Sequence, residues 1–136
     1  MASRKEENRM KKKEERRESE MLVFVKVKDL DGYILKASAT SPVKYRYSIL
    51  NTLIQDSLDI LSLLYDANEL DVKDRERAVL IGKARTKLKL VDFLSTLAYE
   101  AGCFTEKQHD VIMLKIGDCS KYLLGFYNHA RKASAI

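Results

Sequence analysis

Three stretches of this chain repeat apolar side chains every three or four residues for about 25 positions each, the spacing of one face of an α-helix. Little interrupts them. The 136 residues include one proline and five glycines, so the many turns of a β-sandwich or α/β fold have no residues to make them. A chain of this length has room for one domain with a real core. The expected fold is therefore all-α, an antiparallel up-down-up-down four-helix bundle.

The pattern places the elements. Residues 1–20 carry eight cations and six anions, with Met10 as the one sizeable apolar residue past the initial Met1. Their charge order could support i,i+4 pairs, but there is no apolar face to bury, so this tail is expected to be disordered. It reads as a solubilising arm or as an arm that joins an RNA or partner contact. The bundle is expected over 21–132, with a short C-terminal tail at 133–136. Leu22, Val23, Val25, Val27, Leu30, Ile34 and Leu35 mark a first helix over 21–39. Ser41-Pro42 reads as a cap and first helical residue, opening a second helix to about residue 67. Its stripe is Ile49, Leu50, Leu53, Ile54, Leu58, Leu61, Leu64 and Tyr65. Asp71 is the expected cap of a third helix, whose stripe of Ile81, Ala84, Leu88, Val91, Leu94, Ser95 and Ala98 ends at Gly102. Thr105 and Gln108 form a capping box for a fourth, with Val111, Ile112, Ile116, Cys119, Tyr122, Leu123, Phe126 and Ala130 inward.

Charge is unevenly spread. Residues 73–89 hold seven cations (Lys73, Arg75, Arg77, Lys83, Arg85, Lys87, Lys89) against Asp74 and Glu76. That segment accounts for the chain's entire net charge of +5, since the rest holds 18 cations and 18 anions. From 77 to 89 there is no carboxylate, whereas an ordinary solvated helix face mixes signs. Such a concentrated field suits an anionic partner, nucleic acid above all. A helical wheel divides the segment. Arg75, Arg85 and Lys89 lie opposite the apolar stripe as a solvated ridge, and Lys83 and Lys87 flank it. The candidate nucleic-acid-binding residues are Arg75, Arg77, Lys83, Arg85, Lys87 and Lys89.

Other features point less far. Lys44-Tyr45-Arg46-Tyr47 interleaves bases and rings, which can stack on unpaired nucleobases or pack a bundle end. Arg131 and Lys132 close the fourth helix, where cations satisfy the helix dipole. No catalytic constellation emerges: the glycines are scattered, no nucleophile elbow occurs, and Glu100 with His109 is an isolated pair. His109 reads as a surface residue of the fourth helix's first turn. Cys103 and Cys119 have no metal spacing with His109 and His129, and Cys119 falls on the apolar stripe. No metal, cofactor or small-molecule substrate is expected. Neither a signal peptide nor a membrane span is seen, so the expected site is the cytoplasm.

The run from Lys87 to Leu94, then Leu97-Ala98-Tyr99-Glu100-Ala101-Gly102-Cys103, Lys107-Gln108 and the stretch from Ile116 to Gly125 resemble one bacterial family. It is the family of four-helix bundle proteins related to the 23S ribosomal RNA intervening-sequence proteins. The resemblance is strongest to the accessory variability determinants of diversity-generating retroelements, and it covers residues 41–132. It implies a homopentamer with a positive surface and no catalytic activity of its own. It further implies binding to reverse transcriptase and template RNA, or an RNA/DNA hybrid, in support of mutagenic cDNA synthesis. The six basic residues then become the contacts to RNA or polymerase. Two alternatives stand beside this. One is a purely structural oligomerisation bundle of the intervening-sequence type; the other is a toxin or antitoxin component docking an acidic protein. Leu90, Phe93 and Tyr99, at or beyond the edges of the third helix's stripe, are the candidate subunit-interface positions.

Overall fold

The computed structural model describes residues 3–42, 44 and 46–135, and these are all-helical, with no strand among them. Four long helices, α1 (Arg4–Ala39), α2 (Asn51–Glu69), α3 (Arg75–Glu100) and α4 (Glu106–Ser134), share one core. A π-helical turn, Arg46–Leu50, leads into α2. No helix among the described residues is long and apolar enough to cross a membrane.

The core takes one stripe from each helix: Val23, Val27, Leu30 and Ile34 of α1, Leu53, Ile60 and Leu64 of α2, Ile81, Ala84, Leu88 and Val91 of α3, and Ile112, Ile116, Leu123 and Phe126 of α4. Burying such side chains from water is what holds the helices together. Polar contacts mark how they meet. The α1–α4 contacts are Lys26 with Cys119, Asp29 with Lys115, and Thr40 with Gln108. Between α3 and α4 they are Arg77 with Phe126, Arg85 with Tyr127, and Thr96 with His109.

The ends of α3 and α4 are set as the sequence suggests. Gly102 adopts φ 88°, its N–H donating to Tyr99 and that of Cys103 to Ala98, a Schellman closure that places Cys103 in the core. At the start of α4, Thr105 and Gln108 exchange both capping bonds, at 2.9 and 3.1 Å.

Three expectations change. First, α1 begins at Arg4, where disorder was expected. The Ser3 side chain accepts from the Glu6 N–H, and Glu6 and Glu7 sit in the first turn, where anions suit the dipole. The buried half of α1 then supplies a nucleus that the charged half propagates. Second, Ser41 does not cap α2. It is buried with its hydroxyl unpartnered among the described residues, Pro42 is not helical, and α2 proper starts at Asn51. Leu58 and Tyr65 point outward, and Ile60, absent from the expected stripe, is buried. Third, Asp74, not Asp71, caps α3; Asp71 accepts instead from the Lys73 N–H within the preceding turn.

Candidate nucleic-acid interface

The six basic candidates separate into four environments. Arg77 is not on a face at all. Its side chain is 2% exposed, its Nη2 donates to Glu20 Oε1 of α1 at 2.8 Å, and its guanidinium lies 4.9 Å from the centre of the Phe126 ring of α4. It stands seven residues before Ala84, squarely on the buried stripe, so it stitches three helices and is withdrawn from the set of contacts. Lys87 is half-buried and paired with Asp56 at 3.2 Å and Asp59 at 3.5 Å on α2. The hydrogen bond to Asp56 and the nearby acidic charge hold its ammonium above the ordinary lysine range. Its charge is answered within the fold. Lys83, exposed, shares the α2–α3 cleft with Lys87, Leu63, Val79 and Leu90. Arg75 is exposed at the start of α3.

Arg85 and Lys89 lie on the other side of α3, in the cleft it forms with α4, beside Met113, Gly117 and Ser120. Here the structure adds what the wheel did not show. Arg85 is not splayed into solvent. Its guanidinium lies 4.9 Å from the centre of the Tyr127 ring, and that of Arg131 lies 5.7 Å from the same ring. Gly82 makes room for this ring, since a Cβ there would come within 3.2 Å of it. One aromatic side chain thus braces two guanidinium groups from neighbouring helices. A braced guanidinium has less side-chain entropy to lose when it meets a phosphate. Among the described residues, Arg75, Lys83, Arg85, Lys89 and Arg131 make no ion pair with a carboxylate. Asp92, at the far end of the cleft, is its one acidic lining residue.

Arg131 and Tyr127 are the residues the sequence reading left out of the site, taking Arg131 as a cation that answers the helix dipole. A signal existed: Tyr127 and Arg131 stand at i,i+4, and Gly82 precedes Arg85 by three. Of the interleaved tyrosine motif, Tyr45 and the side chains of Arg46 and Tyr47 lie outside the described residues. His109 is half-buried rather than a free surface residue; it stacks on Tyr99 with ring centres 4.5 Å apart and shares a hydrogen bond with Thr96. Both cysteines are free and buried; the Cys119 thiol donates to the Lys26 carbonyl, and burial pushes its pKa up to about 12. No cluster of three or more His, Cys, Asp or Glu able to hold a metal occurs among the described residues.

The chain matches no known protein-family model, and comparison with curated proteins finds no relative of significant similarity.

Proposed function

We propose that this chain is a non-enzymatic accessory protein of a diversity-generating retroelement, acting in the cytoplasm. It binds template RNA and reverse transcriptase through a basic surface centred on the α3–α4 cleft. The observation that carries this reading is the pair Arg85 and Arg131, braced on Tyr127 and unanswered by any carboxylate among the described residues. With Lys89 and Arg75 they form a contact set drawn mostly from a helix segment that lacks carboxylates from 77 to 89, while Lys83 lies on the other side of α3, in the α2–α3 cleft. Phosphate contacts of this kind give affinity without base readout.

The helices are arranged up-down-up-down. In support, rising numbers along α1 (26, 29, 40) meet falling numbers along α4 (119, 115, 108). Along α3, 77, 85 and 96 meet 126, 127 and 109. The protein assembles as a homo-oligomer, a pentamer on the family resemblance. Val79, Leu90, Phe93 and Leu97 recur on an outer edge of α3 that the chain's own core does not use, with Phe93 69% exposed. Phe93→Glu should shift the wild-type oligomer toward monomer in sedimentation velocity, and a wild type that sediments as a monomer contradicts this part. The alternative, a structural bundle without a nucleic-acid role, also draws on that apolar edge.

Charge reversal separates the two. Arg85→Glu with Lys89→Glu should weaken binding to single-stranded RNA at least about tenfold at roughly 100 mM salt, because two phosphate contacts become repulsions. Helicity by circular dichroism should be unchanged. Unaltered affinity would move the site elsewhere on the molecule.

A further inference from the structure

The described side chains at the start of α1 take no part in the core of the bundle. Glu20 packs against Arg77 at the start of α3, but residues 3–14 are all exposed. Residues 4–19 form a rod of roughly 24 Å at 1.5 Å per residue, leaving the bundle where α3 begins. Its charges are sorted. Lys5, Arg9 and Lys12 fall at i, i+4 and i+7, within about 60° of one another around the axis. Glu7 and Glu14 fall on the opposite face beside Arg4 and Lys11, which they offset, and Glu6 and Lys13 lie together between the two faces.

We propose that this basic stripe is a second phosphate-binding surface, taking the backbone of a nucleic-acid duplex beyond the end of the bundle. The arm's composition narrows the partner. Met10 is its one sizeable apolar side chain, so it has no face to enter a lipid interface or to pack on another helix. What remains is electrostatics, with the Lys5–Arg9–Lys12 side the more positive because Glu7 and Glu14 offset Arg4 and Lys11 on the opposite side. The cations repeat at about 6 Å and 10.5 Å along a straight rod. A duplex offers a matching long, uniform line of charge, about one per 1.7 Å of axis, where an acidic protein offers a compact patch. Continuity supports the same partner: the arm's base touches α3 beside exposed Lys73 and Arg75.

The inference rests on the nucleic-acid reading above, and one experiment tests them separately. Binding of the full chain to an RNA duplex of about 20 base pairs is measured by fluorescence anisotropy from roughly 50 to 200 mM salt. The Lys5→Gln/Arg9→Gln/Lys12→Gln variant should bind about tenfold more weakly at the middle of this range. Its slope of log affinity on log salt should be shallower by about 2.7, since three phosphate contacts to a duplex are lost. Glu7→Gln/Glu14→Gln should bind as tightly as wild type or more so, and Gln is helix-forming enough to keep circular dichroism unchanged. If the arm variant binds like wild type while Arg85→Glu/Lys89→Glu is weakened, the arm inference falls and the cleft stands. The reverse pattern removes the cleft and keeps the arm. Equal binding to polyglutamate of matched charge overturns the duplex in favour of an acidic protein; no duplex binding by the wild type overturns the arm, and no binding to single-stranded RNA either overturns the cleft as well.

Discussion

Replacing Arg77 by alanine should cost about 3–5 kcal/mol of stability, the range for breaking a buried ion pair from one side. The arginine is held at both ends of its charge, by Glu20 at 2.8 Å and by the Phe126 ring at 4.9 Å. Alanine removes the cation that Glu20, itself 15% exposed, meets across α1 and α3, and opens a cavity between α1, α3 and α4. Arg77 Nε and Nη1 find no partner among the described residues, so the cation is already incompletely satisfied. Arg77→Met with Glu20→Gln should therefore recover most of the loss, because apolar volume replaces an expensive pair. Urea denaturation reads both, as a midpoint shift with unchanged slope. RNA affinity should be the same for Arg77→Met as for wild type. A variant that folds fully yet loses RNA binding would return Arg77 to the contact set.

Stability should also fall as pH rises through the neutral range, with Asp31 as the cause. Asp31 is 3% exposed, and neither carboxylate oxygen has a hydrogen-bond partner among the described residues. Burial pushes its pKa from 3.8 up to about 8. Below about pH 4 both folded and unfolded chains hold the proton, and there is no penalty. Between about 4 and 8 the unfolded chain releases it while the folded chain keeps it, so each step up in pH favours unfolding; above about 8 the penalty levels off. At the top of the window it is on the order of 5 kcal/mol. Asp31→Asn removes the ionisation at nearly constant shape. It should flatten the pH profile of the unfolding midpoint and stabilise the protein most at pH 8. A wild-type profile that rises from pH 5 to 8, and stays so in Asp31→Asn, would contradict this.

The sequence was most legible where local chemistry and packing agree. The Thr105–Gln108 box and the left-handed Gly102 announce their helix ends because their bonds are made within a few residues. It was least legible where the partner is distant. Ser41 looks like a cap until its hydroxyl turns inward, and the helix from Arg4 has no apolar stripe to betray it. Arg77 is the instructive case. Its spacing from Ala84 and Val91 marked a buried position, but its charge placed it among the candidate contacts, and only Glu20, 57 residues earlier, explains how a cation tolerates that place. Likewise the brace on Arg85 needs Tyr127 from another helix, a contact that no single helical wheel contains.

The most direct test of the central claim is the salt dependence of RNA binding by the wild-type chain. Four unanswered cations, Arg75, Arg85, Lys89 and Arg131, should release counterions from single-stranded RNA with a slope of log affinity on log salt of about −3. Arg85→Glu/Lys89→Glu should flatten that slope by more than about 1. Salt-independent association, or no association with RNA at any salt, would contradict the account.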